Sequence, residues 1–203
     1  FQPTAGKLLA HLAANGIDPG SVTKVVFTHA HPDHVWGTMT ADGGLAFPNA
    51  TYYVDGTEYD FWTDPATLSA FPEDFKPFVT GAVDNLKATE PRLVRVKDGD
   101  SIAPGISVVT APGHTPGHIG ILVDGGDGLL ITGDTFANPW LSVAHPDWVF
   151  GFDSIPDQAI ATRKTLLDRI ATDRLQILAY HFPWPGVGRV ERKDGGYRFV
   201  AAA

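Results

Sequence analysis

The sequence contains no cysteine, and this absence limits both its cross-links and its metal chemistry. Disulfide bridges are excluded, and any zinc site must use histidine and carboxylate ligands. A chain without cysteine suits the cytoplasm and the periplasm alike. We expect a bacterial-type soluble protein, periplasmic or cytoplasmic, and the absence of cysteine does not decide between these compartments.

Long apolar runs and clusters of basic residues are also missing. No stretch approaches the eighteen or so uninterrupted apolar residues that a membrane-spanning helix needs. The net charge is −8, from 15 lysines and arginines against 23 aspartates and glutamates, and the two signs are interspersed. Because a nucleic-acid partner would require a basic face, we expect no nucleic acid among the partners. Because no apolar run is long enough to span a bilayer, we also expect no membrane.

The densest group of potential metal ligands is the segment HAHPDH at residues 29–34, which directly follows a short apolar run. His29 and His31 are two residues apart, so in an extended segment their side chains point the same way. The proline after them bends the chain, and Asp33 and His34 can then face a second point. One short loop could therefore serve two metal ions.

Three further apolar runs of β type also end in potential ligands. The block GHTPGH contains His114 and His118, the block TGD contains Asp134, and the block AYH contains His181. Isolated histidines are often ordinary polar loop residues, but four such blocks, each placed after a strand, favour a metal centre. We expect His118 to support the ligands or to be a polar strand residue.

Alternating strand and helix patterns predict a layered α/β domain. The apolar periodicity predicts helices over residues 7–14, 57–62, 75–88 and 156–170. It predicts strands over residues 24–28, 51–54, 92–96, 106–110, 119–123, 129–132, 175–179 and 197–200. Ser154 or Asp157 is expected to cap the last helix, and Arg163 is expected on its exposed surface.

The ligand blocks, in this order, resemble those of the metallo-β-lactamase superfamily. The segment 1–9, the block HPDW at residues 145–148 and the ending over residues 181–189 resemble its methyl parathion hydrolase-like branch. The resemblance implies an αββα sandwich, in which two β-sheets lie between helices and the metals lie at one edge. Members of the superfamily carry several strands before the first histidine motif, whereas only residues 1–23 precede the first strand here. We therefore expect residues 1–203 to form a single domain that is incomplete at its N-terminus.

The resemblance also assigns the ligands. It implies that one metal ion is bound by His29, His31 and His114, and a second ion by Asp33, His34 and His181. Asp134 occupies the position of a bridging carboxylate, and Asp33 and Asp134 are the expected catalytic residues. Three imidazoles leave one coordination position open, as catalytic zinc sites do. We expect two divalent ions with a hydroxide between them, zinc first, with cobalt, manganese or iron as alternatives.

Aromatic residues near the ligand blocks are expected to form an apolar substrate pocket. The expected pocket residues are Trp36, Phe61, Phe71, Trp140, Trp148 and Phe182. The aromatic run over residues 60–80 could equally be ordinary core packing. Because no cluster of basic residues lies near these loops, the pocket favours a small uncharged ester as partner, either a lactone or an organophosphate triester. The chain could also form a homodimer.

Two other functions remain open at this stage. The first is a thioesterase or β-lactamase-like hydrolase, although β-lactamase branches lack the aspartate bridge that Asp134 would supply. The second, of another class, is a non-catalytic metal-binding protein whose ligands act as a structural cross-link. Acyl-homoserine lactonases carry a tyrosine shortly after the bridging aspartate, whereas Phe136 and Ala137 follow Asp134 here. A dedicated signal-lactone activity is therefore not favoured.

Overall fold

The fold is taken from a computed structural model, which describes residues 6–202. These residues form two compact units, one ending at Arg95 and the other beginning at Val96, and each is described by itself. Of the segment 1–9, which carried part of the sequence resemblance, residues 1–5 lie outside the described residues. Within residues 6–202, no helix has the length and apolar character needed to cross a membrane.

The first unit is built on a three-stranded sheet and five helices. Its central strand pairs in parallel with the first strand, with Lys24 opposite Thr51. In chain order the strands are β1 (Lys24–Val26), β2 (Thr51–Asp55) and β3 (Leu93–Val96). The helices are α1 (Leu8–Ala14), α2 (Pro32–Val35), α3 (Gly56–Thr63), α4 (Pro65–Ala70) and α5 (Lys76–Thr89).

The core of the first unit joins β2 to the helices α3 and α5. Tyr52, Trp62 and Leu86 are among its fully buried side chains, and burying each such side chain contributes about 1.5–3 kcal/mol. Oδ1 of Asp55 accepts a hydrogen bond from the backbone of Thr57 at 2.7 Å and so caps α3. This cap fixes the point at which the chain leaves β2 and enters the helix.

The second unit is a seven-stranded sheet with one long helix. The strands are β4 (Ser101–Ala103), β5 (Ile106–Thr110), β6 (Ile119–Val123), β7 (Leu129–Ile131), β8 (Gln176–Leu178), β9 (Val187–Lys193) and β10 (Gly196–Ala201). Their spatial order runs from β10 to β4 without interruption. The pair β7 and β8 is parallel, and the connection between these two strands contains α6 (Pro156–Asp173). The other neighbouring pairs are antiparallel.

The core of the second unit lies between α6 and this sheet. Leu166, Leu167 and Ile170 of the helix and Leu130 and Ile177 of the strands are all buried in one cluster. The buried helix positions recur three and four residues apart, as one face of an α-helix requires.

All of the predicted helices and strands occur, with ends within three residues of the predicted ones. The sequence did not predict α2, α4, β4 and β9. The predicted cap of α6 is wrong, because its N-cap position is Ile155 and no side chain caps it. The backbone amides of Ser154 and Ile155 instead donate to the carbonyls of His114 and Gly113, each at 2.9 Å. That α6 starts there is therefore due to tertiary hydrogen bonds.

Candidate metal centre

The loop at residues 29–34 follows β1 and continues into the short helix α2. The backbone amide of Phe27 donates to the carbonyl of Tyr53 at 2.9 Å, which extends the strand pairing to the edge of the loop. His31 is the N-cap residue of α2, and Pro32 occupies the first helical turn, where its missing N–H leaves no partner unsatisfied. The strand end and the helix start thus hold the four side chains in place.

Within this loop the potential ligands form two pairs. Nε2 of His29 lies 3.1 Å from Nδ1 of His31, and Nε2 of His34 lies 3.5 Å from Oδ2 of Asp33. Two atoms that each coordinate one tetrahedral zinc at 2.0–2.2 Å are about 3.4 Å apart. Both pairs therefore have the spacing of ligands that share a cation.

Glu58 of α3 holds the backbone of the loop through a hydrogen bond. The sequence did not predict this role. Its Oε1 accepts hydrogen bonds from the backbone amide of Ala30 at 2.9 Å and from Nε1 of Trp62 at 2.7 Å. The side chain is completely buried. In the sequence, an acidic residue in the first turn of a helix is an ordinary feature, so nothing distinguished Glu58 from a residue at the surface.

In the second unit, Asp134 lies between two histidines. Its Oδ2 is 3.1 Å from Nε2 of His181 and 3.5 Å from Nε2 of His114. Asp134 and His114 are buried, and His181 is partly exposed. One carboxylate oxygen thus lies between two imidazole nitrogens, close enough to each for a hydrogen bond or for shared binding of a cation. The backbone of His181 has a φ of 59°, in the left-handed region that non-glycine residues rarely adopt.

His118, which lies in the GHTPGH block with His114, supports the backbone of Asp134. The backbone amide of Asp134 donates to Nε2 of His118 at 3.0 Å. Because this nitrogen accepts a hydrogen bond, the other ring nitrogen of a neutral imidazole carries the proton. His118 therefore acts on the backbone that carries the bridging carboxylate.

A second buried carboxylate, Asp153, contacts His114. Its Oδ1 lies 3.2 Å from Nδ1 of His114, and its Oδ2 accepts a hydrogen bond from Arg163 at 2.7 Å. The expectation that Arg163 lies on the surface is wrong, because its side chain is only 2% exposed. Arg163 falls in the buried stripe of α6, four residues after Ala159 and three before Leu166. That periodicity was visible in the sequence and could have identified it.

The expected pocket residues of the first unit pack around its core. Trp36 is partly buried, with its ring 6.3 Å from and perpendicular to that of Phe78. Phe61 and Phe71 are also partly buried against the core, with ring centroids 6.4 Å apart. The aromatic run thus contributes to packing, and a further role of these three side chains in a pocket stays a prediction.

The expected pocket residues of the second unit differ in exposure. Trp140 and Trp148 are 66% and 55% exposed. The ring of Trp148 stacks on His145 at 4.1 Å with an angle of 9° between the planes. Phe182 is partly buried and meets Phe199 at 4.9 Å. Their assignment to a substrate pocket also stays a prediction.

The chain belongs to the metallo-β-lactamase superfamily, whose family model matches residues 2–174. A solved dizinc quorum-quenching lactonase, AidC, in complex with a product, aligns with the whole chain at a TM-score of 0.92 and 29% identity, over 72% of its own length. AbOPH, a hydrolase of the same superfamily, aligns at 0.89 and 32% identity, again over the whole chain and 72% of its own. The predicted fold class, a mixed α/β metallo-β-lactamase fold, is confirmed.

Among the curated relatives, the N-acyl homoserine lactonase AttM of Azorhizobium caulinodans is 30% identical over 208 residues. The match covers 93% of this chain and 68% of the relative. The matches span between 40% and 68% of the lengths of the four curated relatives found. The family is therefore established, and the activity of the whole protein is a matter for proposal.

Proposed function

We propose that the protein is a metal-dependent hydrolase of small uncharged esters. The observation that carries this proposal is Oδ2 of Asp134 between the Nε2 atoms of His181 and His114, at 3.1 and 3.5 Å. A carboxylate oxygen shared in this way suits two adjacent metal ions better than one. The lactonase activity that AttM and AidC carry in their names supports an ester as substrate.

The ligands of this proposal are the seven residues that the sequence predicts. Family membership and the ligand spacing inside each unit support assigning His29, His31 and His114 to one ion and Asp33, His34 and His181 to the other, with Asp134 shared. Zinc is the expected metal because AidC is a dizinc enzyme, and imidazole and carboxylate ligands accept zinc as well as cobalt, manganese or iron. Two such ions, when bound, would polarise an ester oxygen and lower the pKa of the water they bind to about 7.

The two carboxylates of the proposal have different surroundings. Asp134 is buried and held through its backbone by His118, so it sets the spacing of the ligands. The side chain of Asp33 is about half exposed beside His34 and can exchange protons with solvent. We therefore assign to Asp33 the transfer of a proton from the attacking water to the oxygen that leaves when the ester bond breaks, a general acid–base role.

Phe136, two residues after Asp134, bears on the substrate class. Phe136 is fully buried in the core of the second unit and has no hydroxyl group to donate. A residue at this position therefore contributes no hydrogen bond to the substrate, which favours a broad range of uncharged esters over one signal lactone. Lactones and organophosphate triesters both fit, and we place the chain in the methyl parathion hydrolase-like branch on the loop resemblances given above.

A substrate panel tests this function. The purified protein, stripped with a chelator and reloaded with zinc, is assayed against a γ-lactone, an aryl phosphotriester, a thioester and a β-lactam. We expect turnover of the lactone or the phosphotriester, lost on chelation and restored by zinc. Turnover of only the thioester or the β-lactam would favour that alternative instead. Stoichiometric metal binding without turnover of any of the four would identify a non-catalytic metal-binding protein.

A further inference from the structure

We infer that Asp153 is a positioning residue that sets which nitrogen of His114 faces the metal, with Arg163 holding Asp153 in place. The inference rests on the proposed function, because it assumes that His114 is a ligand. The three side chains form a continuous chain of contacts. Nδ1 of His114 lies 3.2 Å from Oδ1 of Asp153, and Oδ2 of Asp153 lies 2.7 Å from a terminal nitrogen of Arg163.

The direction of the hydrogen bonds follows from the chemistry of the partners. A guanidinium group can only donate, and a carboxylate that faces it can only accept. Oδ1 of Asp153 therefore accepts from Nδ1 of His114, and that nitrogen carries the ring proton. The lone pair of the neutral ring then lies on Nε2, the atom that faces Oδ2 of Asp134 at 3.5 Å. This is the tautomer that a metal ligand at Nε2 needs.

Arg163 is anchored at each of its nitrogen atoms. Besides its bond to Asp153, its Nε donates to the carbonyl of Thr135 at 3.2 Å, and its other terminal nitrogen donates to the carbonyls of Trp148 at 3.0 Å and Pro146 at 3.3 Å. The guanidinium group of Arg163 therefore links Thr135, which follows Asp134, to the loop that leads to Asp153. One terminal nitrogen donates a charge-assisted hydrogen bond to Oδ2 of Asp153 and so holds that oxygen in place.

The backbone keeps Asp153 in register with His114. The amides of Ser154 and Ile155 donate to the carbonyls of His114 and Gly113, so the two segments run side by side. Gly113 has a φ of 128°, and a Cβ at this position would overlap the backbone of Ala159 in α6. The backbone hydrogen bonds and the close approach of Gly113 to α6 therefore both fix the contact between Asp153 and His114.

A purely stabilising role explains this arrangement poorly. His114, Asp153 and Arg163 are 3%, 0% and 2% exposed. Removing an ion pair so completely from water costs free energy that its attraction often fails to recover, so a buried pair is weak evidence for stability. Orienting a metal ligand is a use that justifies this cost. Partners of this kind typically change metal affinity about 10–100-fold when they are replaced.

The first experiment compares Asp153→Asn with the parent protein and with Asp157→Asn, which changes an exposed carboxylate in the first turn of α6. Cobalt affinity is measured by competition with a chromophoric chelator, and the visible spectrum of the cobalt protein is recorded. We expect Asp153→Asn to bind one of its two ions about 10–100-fold more weakly, with a shifted cobalt spectrum. Asp157→Asn should match the parent. Parent-like affinity and an unchanged spectrum in Asp153→Asn would overturn the inference.

The second experiment does not depend on the folding of that variant. Long-range ¹H–¹⁵N correlation spectra of the metal-free parent report the tautomer of His114, assigned by its loss in His114→Gln. We expect Nδ1 to carry a proton, and a ring protonated on Nε2 alone would overturn the inference. A parent that binds two cobalt ions but hydrolyses no ester contradicts the proposed function alone. Parent activity together with unaltered metal binding in Asp153→Asn contradicts only the role of Asp153.

Discussion

One oxygen atom of Glu58 joins the first ligand loop to helix α3, because it accepts hydrogen bonds from the backbone of Ala30 at 2.9 Å and from the indole of Trp62 at 2.7 Å. Ala30 separates the two histidines of the loop, so the position of its amide determines where both imidazoles begin. A buried carboxylate that accepts two hydrogen bonds stabilises strongly, because each donor would otherwise be buried without that partner.

We predict that Glu58→Ala lowers the free energy of unfolding by about 2–6 kcal/mol, since two buried donors lose this acceptor at about 1–3 kcal/mol each. Urea denaturation of the metal-free protein measures the change. The matched control is Glu73→Ala, which removes an exposed carboxylate paired with Lys76 and should cost less than about 1 kcal/mol. Equal losses in the two variants would show that Glu58 does not hold the loop.

Asp134 offers the most direct test of the two-metal proposal. We predict that Asp134→Ala lowers kcat/KM for the preferred ester at least about 100-fold, because it removes the oxygen shared by the two ion positions. Elemental analysis should show fewer than two zinc ions per chain. The control is Asp157→Ala, on the exposed side of α6. Arg163→Ala would be unsuitable as a control, because Arg163 is buried against Asp153. Near-parent turnover in Asp134→Ala would contradict the mechanism.

Two glycines in helices of the first unit allow the packing of Trp36 to be tested. A Cβ added at Gly81 in α5 would overlap the indole of Trp36, whereas a Cβ at Gly56 in α3 would meet no atom within 4 Å. We predict that Gly81→Ala lowers the free energy of unfolding by about 1–3 kcal/mol despite the better helix propensity of alanine. Gly56→Ala should be neutral or stabilising. A stabilising Gly81→Ala would mean that the indole moves aside easily.

Local patterns in the sequence predicted most of the fold. Strands such as β5 and β6 are short apolar runs bounded by turns, and α6 has a clear apolar stripe, so neither depends on distant residues for its recognition. Strand β9, with the sequence VGRVERK, was missed because charged residues interrupt its apolar ones. Strand β9 forms because it pairs with β8 and β10, and its own sequence has no clear strand pattern.

The ligand candidates and their supporting residues differ in the same way. The candidates could be predicted because each follows its own strand, and the resemblance supplied their assignment. Glu58 and Asp153 act through contacts 28 and 39 residues away along the chain, and no local pattern encodes such a distance. The sequence thus indicated which atoms could bind a metal and left open what orients them.

The last prediction separates a pocket role from a packing role for the tryptophans. Trp148 is 55% exposed and stacks only on His145 among the aromatic rings of residues 6–202. We predict that Trp148→Ala raises KM for an aryl ester by about 5–150-fold, equivalent to about 1–3 kcal/mol of lost contact, with metal content unchanged. The free energy of unfolding should change by less than about 1 kcal/mol, because little buried surface is lost.

Trp36→Ala should also raise KM and, unlike Trp148→Ala, should destabilise the first unit, because the indole packs against its core. Trp184→Ala is the matched control, since this tryptophan is 95% exposed and lies outside the predicted pocket. Unchanged KM in both Trp148→Ala and Trp36→Ala, or an equal rise in Trp184→Ala, would show that the proposed pocket is misplaced.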